Sequence, residues 1–113
     1  MDTLAKNEHY RQVLQGIIHR YAKMPRREGM SDLTAICDDA GGRYLLMRVG
    51  WDIVGRAHNI LIHLRLLDGK VYIEYDGIEH GIAYDLLEAG IPKEDIFLAD
   101  EPQPRAVADL LAA

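Results

Sequence analysis

The sequence predicts an α+β fold: a four- to five-stranded, mostly antiparallel sheet with an N-terminal helix and a second helix packed on one face. Three observations predict it. Apolar residues recur at helical spacing between Tyr10 and Tyr21. Four segments between residues 31 and 76 have strand length and alternating or continuous apolar character. Asp68-Gly69 separates two of them, and that dipeptide supplies the positive φ a tight hairpin needs.

The first helix spans residues 2–22. Tyr10, Val13, Leu14, Ile17, Ile18 and Tyr21 form one apolar stripe, and Arg11, Gln12, Gln15, His19 and Arg20 take the other side. Gly16 lies inside it at a cost of about 1 kcal/mol relative to alanine, which suggests close approach to the sheet. Met24-Pro25 ends it, because the residue before a proline avoids helical angles. Residues 31–38 form the first strand, followed by a turn, Asp38-Asp39-Ala40-Gly41-Gly42. Residues 43–51 form the second, with Leu45, Met47, Val49 and Trp51 on one face. Asp52-Ile53-Val54-Gly55 reads as a loop.

Residues 56–67 make the longest strand. His58, Ile60, Ile62, Leu64 and Leu66 share the face expected to meet the helix; the opposite face is mixed. Residues 70–76 return after the hairpin. A helix opens at Gly81 or Ile82 and runs to about Glu88, with Ile82, Leu86 and Leu87 inward and Gly90 as its left-handed cap. A further turn at Pro92–Asp95 leads into a short strand at 96–98, and residues 105–111 suggest a last helix. The whole chain, 1–113, reads as one domain.

Composition narrows the function classes. Hydrophobic residues make up 49% and charged residues 27%, an ordinary globular balance. No apolar run is long enough to span a membrane, the polar start lacks the order of a signal peptide, and a single cysteine excludes an internal disulfide. A cytoplasmic location is the expectation. The net charge of −5 and scattered basic residues argue against strong direct DNA binding, which needs clustered cations on phosphates.

Chemistry-bearing patterns are sparse. His58 and His63 lie five apart on one strand and are read as facing opposite sides. Asp76, Glu79 and His80 share a turn without the fixed spacing of a metal motif. Glu74 and Asp76, on one face of a strand, read as a solvated edge. Cys37 has no basic neighbour in sequence, and Asp38 and Asp39 would raise its pKa. No nucleophile motif or phosphate loop appears. The expectation is no catalytic residue, no cofactor and no metal.

Several blocks resemble the XisI family: VGWD (49–52), DGKVYI (68–73), DGIEHGIA (76–83), AGIPKEDIFL (89–98) and the helix YRQVLQGIIHRYA (10–22). They fall in the right order and spacing over nearly the whole chain. The sequence departs from the family pattern at Ile78 and in a less aromatic tail. The resemblance implies a non-catalytic regulatory factor of cyanobacterial type. Such factors control excision of a genomic DNA element and go with an XisH-like protein partner whose fold resembles nucleases. Trp51, Asp52, Glu79 and His80 are the candidate partner-binding residues, an aromatic anchor with polar loop groups. The alternative for Trp51, and the expected one, is a lid on the chain's own core. The second sheet face, with Leu45, Met47, Leu61, Leu67 and Tyr72, suggests a homodimer. Two further readings stay open. One is a small ligand-binding or enzymatic domain using the turn from Asp76 to His80. The other is an antitoxin-like nucleic-acid adaptor with a basic patch at Arg26, Arg27, Arg48 and Arg105.

Overall fold

The chain, analysed as a computed structural model, is described over residues 3–25 and 29–112. The elements run α1 (Thr3–Ala22), β1 (Asp32–Asp38), β2 (Arg43–Asp52), β3 (Gly55–Leu67), β4 (Lys70–Asp76), α2 (Ile82–Glu88), a 3-10 turn (Lys93–Asp95), β5 (Ile96–Leu98), β6 (Arg105–Ala106) and α3 (Val107–Ala112). One sheet has the order β1-β2-β3-β4-β5-β6. All neighbours are antiparallel except β4 and β5, because α2 crosses over between them. No helix among the described residues is long and apolar enough to cross a membrane.

The core lies between α1 and one sheet face. Leu14 and Ile18 of α1, Tyr44 and Leu46 of β2, Ile62 and Leu64 of β3, Val71 of β4, and Ile82 and Leu86 of α2 are fully buried. Each such side chain contributes roughly 1.5–3 kcal/mol over its exposed state. The hairpin after β3 is built as expected: Asp68 and Gly69 both take positive φ, 51° and 74°. Asn7 of α1 accepts a hydrogen bond from the Gly69 N–H at 2.6 Å, fixing the helix start to that turn.

Helix α1 is fastened at three points by the same device. Tyr10 donates to Asp95 at 2.5 Å and Lys6 lies 3.0 Å from the same carboxylate. Tyr21 donates to Asp85, and Arg20 sits 3.6 Å from it. Tyr44, facing α1 from β2, donates to Asp39 at 3.1 Å, and Arg11 of α1 reaches Asp39 at 3.9 Å. Each aspartate thus accepts a phenol and faces a cation from α1.

Several expectations need correction. The sheet has six strands, because Arg105 and Ala106 pair with Leu98 and Phe97 before the last helix begins at Val107. The segment Asp52–Gly55 is not a loop: Asp52 and Gly55 are paired, leaving only Ile53 and Val54 in the turn. Gly16 meets nothing within 4 Å of a built Cβ, so it serves no close approach. Leu87 is partly exposed, while Ile82 and Leu86 carry the inward face of α2.

Two bulges change which residues share a face. Leu46 pairs with Ile62 but Met47 with Ile60, so the register shifts at Leu61. Directly paired residues lie on the same face. Beyond the bulge His58 and Ile60 therefore lie with Val49 and Met47 on the open face, not with Ile62 on the core face. The second shift falls between His63 and Leu64 and leaves Glu74 unpaired. Glu74 then turns to Arg65 at 3.1 Å on the open face, while Asp76, opposite Ile62, lies on the helix side. The two carboxylates are on opposite faces, against expectation.

The outer half of the β2–β3 hairpin stands away from the body. β1 pairs with β2 only as far as Val49, and β4 pairs with β3 only from Ile62 onward. Residues between form a two-stranded arm. The radius of gyration, 14.8 Å, exceeds the value of about 13 Å usual for this length.

Candidate functional site

At the arm's tip the sequence places apolar side chains in water. Trp51 is 70% exposed, Ile53 97% and Val54 90%. Trp51 is therefore not a lid on the core. Its strand runs past the end of β1, so nothing remains beneath it to cover. Arg56, its cross-strand partner, lies over the indole at 5.6 Å, a cation–π contact worth about 0.5–1 kcal/mol at an exposed site. Asp52 accepts a hydrogen bond from the Val54 N–H at 2.9 Å and so shapes the turn.

Glu79 and His80 lie elsewhere, in the turn between β4 and α2. Gly81 adopts φ 89° there, which directs the chain into the helix. The His80 Nε2 is 3.1 Å from the Tyr21 hydroxyl and 3.1 Å from Asp85 Oδ2. Tyr84 meets the imidazole edge-on, with ring centroids 5.9 Å apart. An open groove of about 310 Å³ adjoins this corner, lined by Arg20, Asp85, Glu88 and Ala89. The hydroxyl of Tyr21 is pushed up to about 12, first by burial, then by donating to Asp85 and by its charge. It stays protonated as a donor, which suits a fixed hydrogen-bonded corner and not a base or nucleophile.

The four candidate residues thus form two pairs. Along β3, Gly55 at the tip lies seven residue steps from Ile62, beside which β4 ends at Asp76, roughly 23 Å of strand. A single chain does not bring Trp51 and Asp52 together with Glu79 and His80.

The remaining candidates are occupied by structure. Asp76 accepts from the Ile78 N–H at 3.1 Å with one oxygen and from the Ile82 N–H at 2.9 Å with the other, so its carboxylate shapes the turn and starts α2. Among the described residues no group of three His, Cys, Asp or Glu is placed to hold a metal ion. The bulge puts His58 and His63 on the same face, against expectation, yet five residues apart, roughly 16 Å. Burial first and Asp39 second push the Cys37 thiol up. His19 of α1 approaches that sulfur at 3.9 Å, a basic neighbour that sequence adjacency does not reveal. Arg48 lies on β2 and Arg105 on β6, four strands apart, about 19 Å. Arg105 faces Asp100 and Glu101 at 3.9 Å each. Arg26 and Arg27 fall outside the described residues, so no contiguous basic patch is seen among those described.

Sequence reading missed Tyr21, Asp85 and Arg20 as the surroundings of His80. Tyr21 was legible as a stripe residue only; its hydroxyl meets an aspartate 64 positions away, and no local pattern encodes that.

Comparison with known proteins gives a consistent result. The family model described as XisI protein matches residues 1–110. A crystal structure of an XisI-like protein from Anabaena variabilis ATCC 29413 superposes with a TM-score of 0.72 at 26% identity, covering 80% of this chain and 83% of that one. The fdxN element excision controlling factor XisI from Anabaena variabilis ATCC 29413 superposes with a TM-score of 0.64 at 34% identity, again over 80% and 83%. No curated protein matches the chain.

Proposed function

Since the chain belongs to the XisI family, we propose that it is a non-catalytic regulator that controls excision of a genomic DNA element by binding a protein partner of the XisH-like kind. The observation that carries this reading is the 34% identity, over four-fifths of the chain, to the fdxN element excision controlling factor XisI of Anabaena variabilis. Physical features support it. The groups best placed for chemistry are held in unreactive states, with the Tyr21 hydroxyl and Cys37 thiol both raised. The net charge of −5 favours a protein partner over naked phosphates. The exposed Trp51 with its Arg56 cover is the residue pair that dominates many interfaces.

The test is co-expression with the XisH-like protein of the same genome and an excision reporter. The two proteins co-purify, and Trp51→Ala lowers partner affinity at least about tenfold while far-UV dichroism stays unchanged. Replacing Asp52, Glu79 and His80 together with alanine also weakens capture. A partner that binds both variants as it binds the parent refutes the placement of the site. DNA cleavage by the purified chain with Mg²⁺, lost on Glu74→Ala, refutes the non-catalytic reading.

A further inference from the structure

We infer that the open face of the sheet seats an acidic amphipathic helix of the protein partner, lying along β2 and β3 from Trp51 toward Lys70. That seat depends on the partner-binding reading above and extends the contact from the arm to the body of the sheet. The buried residues of α1, α2 and α3 all belong to the core on the other side. Among the described residues no helix covers the open face. The register places Leu45, Met47, Val49 and Trp51 of β2 there, with Ile36 and Ile60 beside them. Ile36 and Trp51 are exposed, and the other four are half-buried. Leu45 to Trp51 spans roughly 20 Å of strand, the length of about 13 helical residues. A sheet face offers side chains and no free backbone groups, so whatever covers it must satisfy its own backbone. A helix does so, and it supplies the layer that α1 supplies on the opposite face.

Charge selects the kind of helix. On the open face the three central strands carry four cations, Arg43, Arg56, Arg65 and Lys70, and one carboxylate, Glu74. Arg65 holds Glu74 at 3.1 Å. Asp32 and Asp38 sit at the two ends of the edge strand β1, and Asp38 accepts from the Gly41 N–H at 3.0 Å. Among the described residues Arg43, Arg56 and Lys70 have no ion-pair partner. On the helix side the cations of α1 differ: Lys6, Arg11 and Arg20 each face an aspartate. Arg56 instead lies over Trp51, Lys70 lies over Phe97 at 5.5 Å, and Arg43 lies 3.3 Å from the His63 Nε2. The chain as a whole carries a net charge of −5. Unpaired positive charge beside an apolar strip is the complement of a helix with an apolar stripe flanked by Asp and Glu.

Other occupants fit this face less well. A second copy stacked face to face opposes the basic set to itself. A single nucleic-acid strand needs free aromatic faces on which bases stack. Tyr72 has Arg65 at 4.8 Å from its ring on one flank and Phe97 stacked at 5.3 Å on the other.

The probe is the XisH-like protein of the same genome, with binding measured by calorimetry at about 50 mM and about 500 mM salt. Arg43→Gln with Lys70→Gln raises the dissociation constant at least about tenfold at low salt and far less at high salt, with far-UV dichroism unchanged. Lys23→Gln with Lys93→Gln removes the same two charges elsewhere and leaves the affinity unchanged. Zero-length carbodiimide coupling of the unmutated complex joins Lys70 to an aspartate or glutamate of the partner, a readout independent of whether the variants fold. No complex with the parent chain overturns the partner-binding reading and this seat with it. A complex whose affinity and salt dependence are the same in the Arg43, Lys70 double variant overturns the seat alone. So does coupling that runs only through Lys23 or Lys93. A parent dimer at about 100 μM that the Arg43, Lys70 double variant alters gives the face to a second copy and overturns the proposal. Binding of a labelled single-stranded oligonucleotide that the same variant abolishes gives the face to nucleic acid and overturns it too.

Discussion

Alkali should unfold this protein between pH 11 and 12, and the three tyrosine–aspartate fastenings of α1 set that window. Tyr21 and Tyr44 are raised from 10.0 to about 12 and Tyr10 is raised further, burial leading in each case and the aspartate bond and charge following. All three side chains are buried. A phenol whose folded pKa exceeds its unfolded value stabilises fully below pH 10. That stability is lost as pH climbs toward the folded pKa, because only the unfolded chain releases the proton readily. For a shift from 10 to about 12 the loss is roughly 1.4 kcal/mol per phenol at pH 11 and roughly 2.3 at pH 12. Three phenols together cost roughly 4 and then 7 kcal/mol, which reaches the usual stability of a domain, about 5–15 kcal/mol. Far-UV dichroism and tyrosinate absorbance recorded against pH should move together in this window. Tyr44→Phe should lose about 1 kcal/mol at pH 7 with its hydrogen bond and flatten the alkaline slope by about a third. Ionisation of all six tyrosines near pH 10, with native dichroism retained, refutes the reasoning.

Other outcomes follow from particular residues. Gly42→Ala should destabilise by several kcal/mol in urea unfolding: its φ is 67° and an added Cβ would sit 2.4 Å from the Leu66 carbonyl oxygen. Gly90→Ala, at φ 98° with nothing within 4 Å, should cost less, about 1–2 kcal/mol. Trp51→Ala should shift stability by about 1 kcal/mol or less, since little beyond the Arg56 contact is lost, whereas a core aromatic would cost about 3–5. Cys37 should react with iodoacetamide at pH 8 more slowly than a free thiol, because burial and Asp39 raise its pKa; a rate at or above that of free cysteine contradicts the placement.

The elements with local signals were legible. The stripe from Tyr10 to Tyr21, the Asp68-Gly69 turn and the Gly90 cap all lie in the sequence as spacing or special backbone residues, and all appear in the structure. What escaped has no local signal. The register shift at Leu61 leaves an ordinary apolar run, Ile60-Leu61-Ile62, so strict alternation carried His58 and Ile60 to the wrong face. The two residues of β6 are too short to show a period. The position of Trp51 depends on where β1 stops, which is a property of the neighbouring strand. Of the candidate site, the loop residues were legible as exposed polar groups. The phenol and carboxylate that hold His80 were not, because each belongs to a different helix.

The fastening of α1 also bears on how the chain folds as it is made. The helix is synthesised before the residues that fasten it: Tyr10 waits for Asp95 and Tyr21 for Asp85, separations of 85 and 64 residues. At ribosomal rates of about 5–20 residues per second, the helix spends on the order of ten seconds with its apolar stripe unpartnered. The β1–β4 meander, joined by short turns, has only local ends to close and should form ahead of it. A helix made ahead of its partners is then the last to dock, and the interval before docking is when a chaperone or a second nascent copy has access to the face that later becomes the core.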